Sequence, residues 1–122
     1  MKNKNILIVD DDIELNEALT ELLKNEDYSV CSVNNGQDAI TAAKKQAFDL
    51  VILDYKMEGM NGLEVLIKLK EFIPDIKIIF ISGNPFIEKI VAKYELADNI
   101  VCALSKPFNI EDFLAAVKKA CL

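Results

Sequence analysis

The chain has 122 residues, 52% hydrophobic and 28% charged, which is the size and balance of one globular domain. Its net charge of −6 argues against a nucleic-acid or anionic-membrane surface, and without any histidine it has no His-ligated metal, His general base or phosphohistidine. No stretch approaches the ~20 continuous apolar residues of a membrane span, and Cys31, Cys102 and Cys121, odd in number and without CxxC spacing, read as buried thiols of a reducing compartment.

The first predicted strand, Ile6–Val9, follows Met1-Lys2-Asn3-Lys4 with no apolar signal region, so a cytoplasmic protein is expected. The strand runs straight into Asp10, Asp11 and Asp12. Asp12 reads as the N-cap of a helix whose apolar face is Leu15, Ala18, Leu19, Leu22 and Leu23. A second strand, Tyr28–Val33, precedes a helix with a small-residue face of Ala39, Ile40, Ala43 and Ala47. The third strand, Leu50–Leu53, delivers Asp54, and Gly62 closes the following loop into a helix marked by Leu63, Leu66, Ile67 and Leu69. The fourth, Ile76–Ile81, delivers Ser82. Asn84-Pro85 then signals a fourth helix with Ile87, Ile90, Val91 and Tyr94 on its apolar face. The fifth strand, Ile100–Leu104, is followed by Lys106-Pro107. In the last helix Asn109 caps, Asp112 takes the third position, Phe108 staples to Phe113, and Ile110, Phe113, Leu114 and Val117 face the core.

The strands read as apolar on both faces, as a parallel sheet covered on both sides requires. Five βα units in series, without repeat or linker, predict an α/β fold: a five-stranded parallel sheet flanked by five helices, one domain over residues 1–122 with no output domain. Ligands of such sheets bind beyond the carboxyl ends of the strands. There the sequence sets a carboxylate cluster, a hydroxyl and an ammonium. An all-oxygen carboxylate cluster suits Mg²⁺, which also makes mutual ionisation of the acids tolerable. A carboxylate beside a metal, a hydroxyl and a lysine is a phosphoryl acceptor arrangement.

The segments "ILIVDDD", "DLVILDYKMEGMNGLEVL", "IIFISG" and "SKPF", in that order and each at a predicted strand end, resemble a response-regulator receiver domain of two-component signalling over the whole chain. The resemblance implies the flavodoxin-like, doubly wound strand order 2-1-3-4-5. It makes Asp54 the phosphoacceptor, Asp11 a direct Mg²⁺ ligand, Asp10 a ligand acting mainly through water, and the Lys56 backbone carbonyl a main-chain ligand. Ser82 becomes the switch hydroxyl, Lys106 the lysine that pairs with the phosphoryl group, and Pro107 a proline reached through a cis peptide. Gly62 is structural. The implied partners are a sensor histidine kinase or histidine phosphotransfer protein as donor and a downstream protein target on the face of the fourth helix, fifth strand and fifth helix.

Three positions depart from the family. Glu58 stands where a proline is usual, which predicts a more mobile loop at residues 57–60, an added charge and a small effect on phosphorylation rate. Ala103 replaces the usual Tyr or Phe, so an aromatic toggle there is impossible, leaving Ser82 and loop motion or a ring such as Tyr94. The approach "YELADNIVCALSKPF" lacks the usual Gly-Ala-Asp-aromatic-Leu pattern, which makes the output face the least transferable feature. Lys56 and Asn84 flank the site at positions that influence phosphoryl lifetime. The leading function is a phosphorylation-dependent switch. A receiver-like adaptor that binds without phosphorylation is the alternative. A Mg²⁺-dependent aspartyl-phosphate phosphatase fits less well, because such enzymes carry the nucleophile after the first strand in a DxD pattern followed by Thr or Val and "DDDIE" lacks that continuation. A flavin-binding module is disfavoured because no Ser/Thr/Gly-rich phosphate loop follows the first strand.

Overall fold

Runs of β-branched and leucine residues build the sheet of this computed structural model, which describes residues 4–83, 89, 92–93 and 97–122. In chain order they are β1 (Asn5–Val9), β2 (Ser29–Val33), β3 (Leu50–Asp54), β4 (Ile78–Ser82) and β5 (Ile100–Ser105). All pair in parallel, in the order β2-β1-β3-β4-β5. The α-helices among the described residues are α1 (Ile13–Asn25), α2 (Gly36–Lys45), α3 (Gly62–Phe72) and α4 (Ile110–Ala120), with a 3₁₀ turn at Ala97–Asn99. That is four helices rather than the five expected. The helix predicted to open at Asn84-Pro85 falls largely outside the described residues, although Lys89, Ala92 and Lys93 carry helical backbone.

Strand alternation divides the core into two layers. Leu7, Val9, Val51 and Leu53 face α2 and α3, packing with Ala39, Leu66 and Leu69. Ile6, Ile8, Leu50 and Ile52 face the other way, onto Leu19 and Leu23 of α1 and Phe113 and Val117 of α4. β1, β3 and β4 are buried on both faces as expected, whereas β2 and β5 are largely half-exposed. The strand order makes those two the sheet edges, each with a strand neighbour on one side only.

Each of these four helices begins where an Asn or Asp side chain accepts a backbone N–H that the first turn leaves without a partner. Asp12 accepts from Leu15, Asn35 from Asp38, Asn61 from Glu64 and Asn109 from Asp112. At α3 the Glu64 side chain returns a bond to the Asn61 N–H, completing a capping box. Phe108 and Phe113 stack with ring centroids 5.7 Å apart, the expected staple.

Several side chains expected in the core lie elsewhere. Ile110 is 60% exposed at the start of α4, and Ile67 is 38% exposed on α3. Ala18 is exposed on α1, and Ala47 stands beyond the end of α2. Val65, absent from the expected face of α3, is fully buried against the tight approach of α2, where a Cβ on Gly36 would meet its Cγ2 at 2.6 Å. Helical period fixes a residue's face, but how far the neighbouring element covers that face decides its burial. No helix among the described residues is long and apolar enough to cross a membrane.

Candidate functional site

β1 is the strand where the chain changes direction across the sheet, with β2 on one side and β3 on the other, so its carboxyl end opens the crevice where ligands of such sheets bind. Val9 pairs with Leu53, which sets Asp10 beside Asp54 at the same level. One carboxylate oxygen from each of Asp10, Asp11 and Asp54 lies within 4.8 Å of the others. Lys106 reaches the group from the end of β5, its Nζ 3.4 Å from Asp54 Oδ2 and 3.7 Å from Asp10 Oδ2.

Asp10 and Asp54 are buried, at 1% and 4% exposure, and Asp11 is exposed. Asp10 Oδ1 accepts the Asp12 N–H at 2.9 Å. Asp10 Oδ2 has no hydrogen-bond partner among the described residues, and the lysine at 3.7 Å is beyond hydrogen-bonding length. A buried carboxylate oxygen in that state is an acceptor with capacity to spare. With three hard oxygen donors converging, and no histidine or cysteine in the cluster among the described residues, the site fits a small divalent cation such as Mg²⁺. Burial, chiefly, and then the Asp10 charge push the Asp54 carboxyl up to about 6, against the opposing pull of Lys106. Asp54 is therefore mostly ionised at neutral pH and held in a poorly solvated place, the condition of an activated carboxylate nucleophile.

Ser82 is buried at the end of β4, one residue past Ile81, the partner of Asp54. Its carbonyl accepts the Lys106 N–H at 2.9 Å, which fixes the backbone from which the lysine extends. The Lys106–Pro107 peptide is cis. Lys56 is exposed on the loop after β3, two residues beyond Asp54. Gly62 has a spatial reason to be glycine, since a Cβ there would meet the Asp54 carbonyl oxygen at 2.5 Å and Tyr55 Cα at 2.8 Å. Its N–H donates to the Tyr55 carbonyl at 2.7 Å, so α3 starts directly against the end of β3. Ala103 is half-buried beside the α2–α3 layer, while Tyr94 and Asn84 lie outside the described residues.

The loop after β3 makes two contacts with the body of the domain. Met57 is buried, and the Glu58 N–H donates to Asp11 Oδ2 at 3.2 Å. Sequence reasoning also missed two amides that hold the acidic pair in place. Asn16, 2% exposed, donates from Nδ2 to the carbonyls of Asp10 and Val33, and Asn34 Nδ2 donates to the same Asp10 carbonyl. The available signal was position: Asn16 is a polar residue three before Leu19 and seven before Leu23, on the buried stripe of α1.

Beside Lys106 an apolar groove of about 590 Å³ runs between α1 and the start of α4. Leu15, Ala18, Leu22, Pro107, Phe108 and Ile110 line it. The exposed Ile110 and Ala18 are thus parts of one surface.

Residues 6–118 match the response regulator receiver domain family. The chain is 34% identical to sporulation initiation phosphotransferase F of Bacillus subtilis, over 98% of this chain and 94% of that protein. It is 32% identical to transcriptional regulatory protein ZraR of Escherichia coli, over 97% of this chain but only 26% of that longer protein. Among solved structures, the response regulator protein TrrA of Thermotoga maritima, in complex with Mg²⁺-BeF, superimposes with a TM-score of 0.84 at 32% identity, covering 96% of this chain and 98% of that one. The family match spans most of the chain, and the chain belongs to the response regulator receiver domain family.

Proposed function

We propose that this domain is a phosphorylation-dependent switch in which Asp54 accepts a phosphoryl group from the phosphohistidine of a partner kinase or phosphotransfer protein, with Mg²⁺ bound at Asp10, Asp11, Asp54 and the Lys56 carbonyl. The observation that carries this reading is the buried Asp54 carboxylate, raised to about 6, beside an unsatisfied Asp10 oxygen and a lysine 3.4 Å away. An Asp54 oxygen attacks phosphorus. An O–P bond forms, the N–P bond to the donor imidazole breaks, and the imidazole leaves as the neutral base once protonated. Mg²⁺ supplies, when bound, positive charge for the phosphoryl oxygens and the clustered carboxylates. In this reading Lys106 pairs with the new phosphoryl charge, and Ser82 donates a hydrogen bond to it. The product carries about two negative charges where the ionised carboxylate carried one, and movement of Ser82 and Lys106 toward them biases a target-binding face that includes β5 and α4. Receiver domains are signalling switches rather than classical enzymes.

Incubation with Mg²⁺ and a small acyl phosphate should add one phosphoryl group to the intact mass, and a chelator should prevent it. Unchanged mass with several donors would favour the adaptor instead, and rapid turnover of many donor molecules would favour the phosphatase.

The groove beside Lys106 supports a place for the donor protein, because an apolar surface next to the reacting carboxylate can orient a partner's helix there. Ile110→Asp should lower the rate of transfer from a phosphohistidine protein about tenfold or more, while phosphorylation by a small acyl phosphate stays within about twofold. Equal losses with both donors would show that the substitution damages the site rather than docking.

A further inference from the structure

Of the three clustered carboxylates, two are fixed by burial and one is not. Asp10 is held by the Asp12 N–H and by the two asparagine amides on its carbonyl, and Asp54 ends a buried strand. Asp11 is exposed, and a free carboxylate side chain would lose rotamer freedom on taking up a cation. The hydrogen bond from the Glu58 N–H to Asp11 Oδ2 joins residues 47 apart in sequence and ties the end of β1 to the loop after β3. Position 58 is where the family usually carries proline, which has no N–H to give. The departure at Glu58 therefore installs a donor.

We infer that the main-chain N–H of Glu58 is a positioning group for Asp11, one that pre-sets the exposed carboxylate for the cation; this rests on the proposal that the site binds Mg²⁺. The bond does not compete with the metal, because a carboxylate offers two oxygens and about four lone-pair directions. With one lone-pair direction of Oδ2 taken by the Glu58 N–H, the Asp11 carboxylate keeps the remaining ones for the cation. The Glu58 side chain is exposed and plays no part in the bond, so charge and donor can be separated by substitution.

Calorimetric titration of the metal-free protein with MgCl₂ tests this. Glu58→Ala keeps the N–H and should stay within about twofold of wild type. Glu58→Pro removes the donor and should weaken Mg²⁺ binding about fivefold, the scale of one exposed hydrogen bond to a charged group. In an Asp11→Asn background the same proline should change little. Wild-type affinity in Glu58→Pro, or an equal loss in Glu58→Ala, would overturn the inference. A wild type that takes up no Mg²⁺ would overturn the metal reading itself, a different result. Should the proline variant not fold, hydrogen exchange in the wild type decides: the Glu58 amide should be protected, and Asp11→Ala should remove that protection. An unprotected Glu58 amide, or protection that survives Asp11→Ala, would overturn the inference.

Discussion

Replacing Asp54 with asparagine should raise the melting temperature of the metal-free protein by about 8 °C at pH 7.5 and by almost nothing at pH 4. In the folded chain burial and Asp10 raise the Asp54 carboxyl to about 6. In the unfolded chain it titrates near ~3.9. The folded state therefore binds the proton more tightly. Stability from this group is fully present below pH ~4 and is lost as the pH rises through about 6. Above that, ionised Asp54 costs on the order of 2 kcal/mol, and for a domain of this size ~1 kcal/mol moves the melting temperature by about 4 °C. Asparagine keeps the shape and removes the charge. Melting curves by circular dichroism across pH 4–8, without metal, check this. A variant no more stable than wild type at pH 7.5, or a benefit that persists at pH 4, would show that Asp54 is not held against its charge. Such a cost is expected of a residue kept for chemistry rather than stability.

Magnesium should reverse that cost. At ~100 times its dissociation constant, a ligand that binds only the folded state contributes ~2.7 kcal/mol, which here raises the melting temperature by about 10 °C. The shift should be larger at pH 7.5 than at pH 5, because protons compete with the metal for Asp54. Asp10→Asn or Asp11→Asn should remove most of it. Of the two, Asp10→Asn alone should also alter metal-free stability, since Asp10 is buried next to Asp54 while Asp11 is exposed. Equal melting temperatures with and without Mg²⁺ would leave the unpartnered Asp10 Oδ2 without an explanation.

That Asp10, Asp11, Asp54 and Lys106 come together is legible in the sequence for one reason. Each stands within two residues of the end of an apolar run of strand length, and a parallel sheet gathers its strand ends at one rim. Asn16 was not legible as a support for Asp10. A single asparagine in a helix reads as surface, and the carbonyl that marks it as buried belongs to Val33, 17 residues away. The helical period puts Ile110 on the core face, but it begins α4 at the groove, where it is 60% exposed. The half-exposure of β2 and β5 follows from strand order, which the composition of a strand does not contain. The hydrogen bond at the loop after β3 is not legible in the sequence: the absence of a proline suggests freedom, whereas in the folded chain it also supplies an N–H to Asp11.

The decisive measurement is the location of the phosphoryl group. The protein would be incubated with Mg²⁺ and a small acyl phosphate, reduced with borohydride to trap any acyl phosphate as an alcohol, and mapped by peptide mass spectrometry. The modification should fall on Asp54 alone, and Asp54→Asn should carry none. A phosphoryl group on Asp10, Asp11 or a hydroxyl side chain, or an Asp54→Asn variant modified as fully as wild type, would contradict Asp54 as the acceptor.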